Sequence, residues 1–405
     1  MEKVNGLYNV GGVLYPRPFK IRRLGHFGFN LTNLLGGVEF YNKLIGFKLT
    51  DEFELTMIPA LSEIAKKVED SRIFFTTHGS DHHALLLAHR SLGSLFGDDK
   101  ESPDITINQI TWQVGTLAEV VNAAQFLREK GVEIRRAGRD MPGSNWHVYV
   151  LDPDGHTIEL YYGIEQIGWD GKSKPYAMYY RRFDEAPKLP QISEAMEMRD
   201  AVQKGIDILS GYQYHEPDGS YEVGGVLLPR PFKITRIGPV GLFVNDVRRS
   251  EEFYVGLLGF VKTEEVNYKG QRCLYLRNGT EHHSLALFPK ALRQELGLSG
   301  HTSCMTFGTE VGSYEQLRNA VNFLRDKGVK FVNIPADLYP GIDYAAHVLD
   351  PEGHCIQLYY YMEQVGWDGK PRPKAERRSV RDEWPETLEP LSDTYADQTF
   401  QGPLA

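Results

Sequence analysis

The sequence predicts an α+β protein built from four βαβββ units, paired into two modules. Three observations carry this reading: a long internal repeat, a strand–helix–glycine pattern occurring twice in each half, and matched DPDG and DPEG turns late in each half. The stretch VGGVLYPRPFKIRRLGHFGF from Val10 returns as VGGVLLPRPFKITRIGPVGL from Val223. Phe40-Tyr41 and Gly46-Phe47 recur as Phe253-Tyr254 and Gly259-Phe260, at an offset of 213. SDHHALLLAH recurs as TEHHSLALFP at an offset of 200, so the first copy holds about 13 extra residues. They fall around ELTMIPALSEIAKKVED, which reads as an added helix. Such self-similarity marks a duplicated architecture.

Each element follows from local pattern. VEFYNKLIGFKL and AAQFLREKGVEI are amphipathic helices closed by glycine and an apolar residue. RIFFTTHG, HALLLAH, HVYVLD and TIELYYG read as strands, and the DPDG and DPEG glycines supply the positive φ of tight turns. The first module is expected over residues 1–172, a connector with a helix over 173–212, the second module over 213–370, and a polar tail over 371–405. The connector is interrupted by prolines and expected to be helical over residues 192–209. Both GWDG segments read as structural, their Trp169 and Trp367 capping the modules.

Composition narrows the function. The 405 residues carry 24% charged and 41% hydrophobic side chains, as ordinary globular proteins do. A net charge of -9 argues against nucleic acid as a partner, because phosphate neutralisation needs a basic face. No signal core and no run long enough to cross a bilayer is evident, so a cytoplasmic protein without a membrane partner is expected. Three cysteines without CxxC spacing exclude a disulfide scaffold and a thiolate metal cage.

The paired βαβββ units, the strand–helix–Gly–Phe pattern and DPDGHTIELY together resemble the vicinal oxygen chelate superfamily, which includes glyoxalase I, bleomycin-resistance proteins and extradiol ring-cleaving dioxygenases. LGHFGF, DHHALLL and VYVLDPDGHTIELYYG, with the twofold module repeat, look most like the two-module extradiol dioxygenases. The resemblance implies a facial metal site with open positions for an aromatic diol and O2. Its metal ligands would be His26, Gln109 and Glu159, with Fe(II) expected and Mn, Zn, Ni or Co as alternatives. Gln109 stands where the family has histidine. Three readings follow: a His–Gln–Glu site, a site completed by a nearby histidine such as His83, or a metal other than iron. The resemblance makes His83 the acid/base and Tyr149 a hydrogen-bond donor to substrate. His82 and His83 point to opposite faces of a strand, so only one enters the site. Asp140 takes the place of a further family histidine. Trp112, Asp140, Trp146 and His147 are expected to line the substrate pocket. His156 and His354 read as turn residues.

In the second half, His26 becomes Pro239, Gln109 becomes Thr306 and Glu159 becomes Gln357. Proline cannot ligate a metal. The second module is therefore expected to be metal-free, the reverse of the usual extradiol arrangement. The expected function is an extradiol-type dioxygenase acting on a catechol-like substrate, as a homo-oligomer. The alternatives are a glyoxalase-like metal-dependent lyase or isomerase, which would work without oxygen, and a metal-free small-molecule binding protein of the same fold.

Overall fold

A computed structural model describes residues 3–59, 61–93, 104–143, 145–167, 171–179, 187–189, 192–366, 368–378 and 383–388. An N-terminal arm of β1 (Lys3–Val4), β2 (Leu7–Val10) and β3 (Val13–Tyr15) precedes the first sheet. That sheet holds β4 (Ile21–Leu31), β5 (Lys48–Glu54), β6 (Arg72–Thr77), β7 (Leu85–His89), β8 (Ile107–Val114), β9 (Arg136–Gly138), β10 (Trp146–Leu151) and β11 (Thr157–Tyr162). Their order across the sheet is β5-β6-β7-β4-β8-β11-β10-β9. A short hairpin, β12 (Tyr221–Val223) and β13 (Val226–Leu228), leads into the second sheet. That sheet contains β14 (Ile234–Val244), β15 (Val261–Tyr268), β16 (Gln271–Arg277), β17 (Leu285–Pro289), β18 (Cys304–Val311), β19 (Phe331–Val332), β20 (Ala345–Leu349) and β21 (Cys355–Tyr359). Its order, β15-β16-β17-β14-β18-β21-β20-β19, repeats the first.

Each sheet is two βαβββ units joined along their first strands. In the first, β4 runs parallel to β7, β8 runs parallel to β11, and β4 meets β8 antiparallel. The helices follow from their caps. Asn33 accepts from the Gly36 N–H ahead of Leu34–Glu39, which continues as wider π-type turns over Phe40–Ile45 and stops at Gly46, whose φ is 104°. Thr116 caps Leu117–Glu129 by accepting from the Glu119 N–H. The helix expected in the extra segment is broken into a 3-10 turn, Leu55–Met57, and a short helix, Ser62–Ala65. Pro59 lies between them and cannot continue a helix from the preceding turn. The connector helix spans Glu194–Gln203, shorter than residues 192–209. Trp169 and Trp367 lie outside the described residues. Among the described residues no helix is long and apolar enough to cross a membrane.

Side chains alternate across these strands, so each sheet has two unlike faces. One face of the first sheet carries Phe27, Phe29, Ile110, Trp112, Val148, Ile158 and Leu160 into a core shared with the second module. Phe27 stacks on Phe307 at 4.8 Å, and Trp112 meets Phe260 edge-on at 4.8 Å. The polar bonds of this junction come in symmetric pairs. His156 Nδ1 bonds Asp152, and its Nε2 lies 2.9 Å from Ser303 Oγ. His354 Nδ1 bonds Asp350, and its Nε2 lies 2.6 Å from Thr106 Oγ1. Tyr254 donates to Asp152 and Tyr41 donates to Asp350. The two turn histidines thus join the modules as well as closing their own hairpins.

Burial opposes charge on both members of the Asp152–His156 pair, yet each partner favours the other's ionised form. The Asp152 carboxyl is held below its ordinary pKa and His156 is raised above its own. The histidine's contribution is then complete below about pH 6.5 and fades as pH rises through the raised value. His156→Gln should cost about 2 kcal/mol at about pH 6 and less at about pH 9 in urea unfolding. An equal cost at both pH values contradicts a charged His156.

Candidate active site

The opposite face of the first sheet is polar at its centre. Strand register sets a row across five strands: His26 on β4 pairs with Thr111 on β8, Thr111 with Glu159 on β11, Glu159 with Tyr149 on β10, and Tyr149 with Arg136 on β9. Gln109, two residues before Thr111, shares its face and pairs with Gly28. Glu159 is wholly buried, and three donors surround it. His26 Nε2 lies 3.0 Å from Oε2, Thr111 Oγ1 donates to Oε2 at 2.9 Å, and Asn145 Nδ2 donates to Oε1 at 2.7 Å. His147 Nδ1 stands 3.7 Å from Oε1. Burial works to raise the Glu159 pKa, but His26 above all, with His147 and Thr111, holds it down to about 2. The carboxylate is ionised at neutral pH.

His83 lies beside this pair, its ring edge-on to His26 with centroids 4.2 Å apart. Burial, with His26 and His82 adding to it, pushes its pKa well below the usual histidine value, so the ring is neutral. Its tautomer follows from the bonds behind it. His82 Nε2 lies 3.4 Å from Asp51 Oδ2, and a carboxylate can only accept, so that nitrogen carries the proton. In the neutral His82 ring Nδ1 is then an acceptor, 3.0 Å from His83 Nδ1, and in that arrangement His83 Nδ1 donates. The lone pair of His83 is left on Nε2.

Tyr149 donates to Gln109 Oε1 at 3.3 Å. Burial first, and Glu159 next, raise its pKa well above the ordinary phenol value, so it keeps its proton. The Arg136 guanidinium lies over the Tyr149 ring, 4.5 Å from its centroid. Burial alone would lower the Arg136 pKa; Asp140, Tyr149 and Glu159 more than offset this and raise it.

A cavity of about 140 Å³ opens over this row. His26, His83, Gln109 and Tyr149 line it, with Phe75 and Leu86 on one side and Arg135 and Arg136 on another. The four residues expected as pocket walls lie elsewhere. Trp112 projects from the other face of β8 into the junction between modules, against Phe260. Trp146 alternates with His147 on β10, and Arg139 lies over its ring at 5.7 Å. Asp140 and His147 sit behind the cavity, 3.2 Å apart, linking Glu159 to Arg136. Sequence reasoning overlooked Thr111, Asn145 and the two arginines. Thr111 was readable in principle, since period-two alternation puts it on the face of Gln109. Asn145 precedes its strand and carries no such signal.

The donor set can be tested against a divalent ion. Two ligands about 2.1 Å from one ion and at right angles lie about 3 Å apart, as His26 Nε2 and Glu159 Oε2 do. Among the described residues, no group of three or more histidine, cysteine or carboxylate side chains could hold a metal. His26, His83 and Glu159 therefore do not form a three-ligand group, and the amide side chains at the cavity are Asn108, Gln109 and Asn145. An imidazole beside a carboxylate oxygen is a donor pair that fits a divalent ion.

The second module holds Pro239, Thr306, Gln357 and His283 around a space of only about 10 Å³, lined also by Met305, Leu338 and Tyr339. Gln357 Nε2 lies 3.0 Å from His347 Nε2 on β20, and Pro239 stands at the place of His26.

A model of the Glyoxalase/Bleomycin resistance protein/Dioxygenase superfamily matches residues 23–160 and 236–358. Metapyrocatechase 2 of Cupriavidus necator is 28% identical over 149 residues, which is 36% of this chain and 38% of that protein. The aligned part thus spans well under half of that relative. A catechol 2,3-dioxygenase structure shares the fold with a TM-score of 0.53 at 15% identity, over 92% of this chain and 96% of that one. The 2,3-dioxygenase LapB from Pseudomonas sp. KL28 gives 0.55 at 14%, over 87% and 96%. The Mn(II)-bound glyoxalase from Novosphingobium aromaticivorans gives 0.53 at 13%, over 86% and 85%. At these identities the three structures speak to the fold alone.

Removing one donor to Glu159 should register in stability. Thr111→Val keeps the shape and takes away a bond to a buried charge, so it should cost about 1.5–3 kcal/mol in urea unfolding. A loss below about 0.5 kcal/mol would contradict the assignment of Thr111 as a support of the ionised carboxylate.

Proposed function

The chain belongs to the glyoxalase, bleomycin-resistance protein and dioxygenase superfamily, and from that premise we propose that it is an extradiol-type ring-cleaving dioxygenase. Its substrate would be a catechol-like aromatic diol, and its metal Fe(II), held by His26, Gln109 and Glu159. The observation that carries this is the buried His26–Glu159 pair, whose His26 lines a cavity of about 140 Å³, close to the roughly 150 Å³ known to hold one benzene ring. A bound ion there would supply Lewis acidity toward the diol oxygens and O2.

The chain's own residues supply orientation and proton handling. Phe75 and Leu86 offer an apolar wall to the ring. The lone pair on His83 Nε2 accepts a proton from a diol hydroxyl, and the resulting cation is stabilised through His82 toward Asp51. The Tyr149 phenol, kept protonated by burial, donates to a substrate oxygen in place of Gln109. That exchange would free the Gln109 oxygen for the metal. Burial of His26 and Glu159 excludes bulk water from the reacting centre.

A glyoxalase-like lyase or isomerase is the second reading, favoured by the Gln109 amide among the ligands. Oxygen separates the two. Fe(II)-loaded protein given a panel of catechols should consume one O2 per ring opened, and Tyr149→Phe should lower kcat by about ten-fold or more. No oxygen uptake across the panel, with turnover of a carbonyl substrate under nitrogen, contradicts the dioxygenase reading.

A further inference from the structure

One wall of the cavity takes no part in the chemistry proposed above. Residues 139–143 follow β9, and Met141 and Pro142 of this stretch line the cavity, with Asn145 just beyond. The Met141 side chain packs on the apolar cluster that holds Phe75 and Leu86. A Cβ on Gly143, whose φ is 96°, would come within 2.8 Å of His83 Cε1, so bare backbone lies against that ring. Asn145 donates to Glu159. One short stretch therefore borders the apolar wall, the imidazole assigned as base and, through Asn145, the carboxylate.

A buried ion pair fixes this stretch from outside. Arg139 Nη1 lies 2.6 Å from Glu197 Oε1, with the two side chains 4% and 6% exposed. Lys174 Nζ stands 3.4 Å from the other Glu197 oxygen. Glu197 belongs to the connector helix Glu194–Gln203, in which only Glu197 and Ala201 are buried. A surface helix ordinarily docks through an apolar stripe. This one buries an alanine and a carboxylate, so its hold on the first module rests on the ion pair. Breaking such a pair leaves a buried charge uncompensated, a cost that a surface pair does not carry.

The second module shows what the stretch decides. An offset of 198 sets Arg139, Asp140, Met141, Pro142 and Gly143 against Asp337, Leu338, Tyr339, Pro340 and Gly341. Leu338 and Tyr339 both line the space of about 10 Å³. The Tyr339 ring lies 5.2 Å from that of His347, which stands at the place of Tyr149. Where the first module has its buried pair, Asp337 meets Lys374 with side chains 54% and 82% exposed. Bulkier side chains on the same stretch go with a closed space, and the buried pair goes with an open one.

We propose that Glu197 is a positioning residue: through Arg139 it holds Met141 and Pro142 as a fixed wall, and so limits the cavity to a ligand with a single ring. That the ligand is a diol rests on the function proposed above; the size limit does not. The space of about 140 Å³ matches the roughly 150 Å³ that holds one benzene ring. A second ring must displace the wall, and overpacking a filled site costs about ten-fold or more in affinity.

Calorimetric titration of the metal-free protein with catechol and with 3-phenylcatechol tests this. In the wild type catechol should bind about ten-fold more tightly or better. Glu197→Ala should bring the two affinities within about three-fold, chiefly by tightening 3-phenylcatechol. Glu197→Gln keeps the side-chain shape and gives up the charge; it should shift the preference the same way by a smaller factor, and it is decisive if Glu197→Ala does not fold. Met141→Ala, which leaves the ion pair in place, should also admit the second ring. A preference unchanged in folded Glu197 variants, even with stability lost, reduces the pair to a structural role and overturns the proposal. Equal affinities in the wild type do the same. Oxygen uptake by the Fe(II)-loaded protein judges the other claim separately. A size preference without uptake on any catechol supports the positioning role while overturning the dioxygenase reading, and uptake with equal affinities does the reverse.

Discussion

An ionised carboxylate with no exposure to water must be surrounded by donors, and Glu159 organises the first module on that condition. Its three hydrogen-bond partners come from three places: His26 from β4, Thr111 from β8, and Asn145 from the turn before β10. Holding one charge therefore fixes the central strands and one loop against each other. In the second module the same place is taken by the neutral Gln357. An amide can be satisfied by a single neighbour, and His347 serves. With the charge gone, nothing requires an imidazole on β14, and Pro239 stands there instead. The space then closes over Met305, Leu338 and Tyr339. The asymmetry between the modules includes this exchange of a carboxylate for an amide together with His26 for Pro239 and Gln109 for Thr306.

What both modules keep is the junction between them. Asp152 and Asp350 each hold a histidine of their own turn and a tyrosine of the other module. Around these bonds the aromatic rings of both halves form one core. Burying such polar groups is tolerable only because every one is paired. The second module thus supplies half of the core on which β4 and β8 rest, and the site's geometry depends on it without any ligand from it.

The fold was legible because its signals are local and repeated. Four strand–helix–glycine patterns and two Asp-Pro turns mark the units before any contact is known. The site was legible to the extent that strand alternation applies. His26, Gln109 and Glu159 share a face; His83 rather than His82 lines the cavity, although the pair lies ahead of β7 and not on a strand as expected. The same alternation argues against Trp112, which is one residue from Thr111 and must point the other way. Trp146 stands in the same relation to His147. The roles of Asn145 and the turn histidines depend on contacts between distant segments. His156 and Ser303 are 147 residues apart, and no periodicity in either strand announces their meeting.

The central claim is that the chain has one metal site and that it lies in the first module. Metal content per chain after anaerobic loading with Fe(II), for wild type, Glu159→Ala and Gln357→Ala, tests it directly. The account predicts about one equivalent in the wild type and in Gln357→Ala, and none in Glu159→Ala. Metal retained in Glu159→Ala but lost in Gln357→Ala, or no metal bound by the wild type, would contradict it.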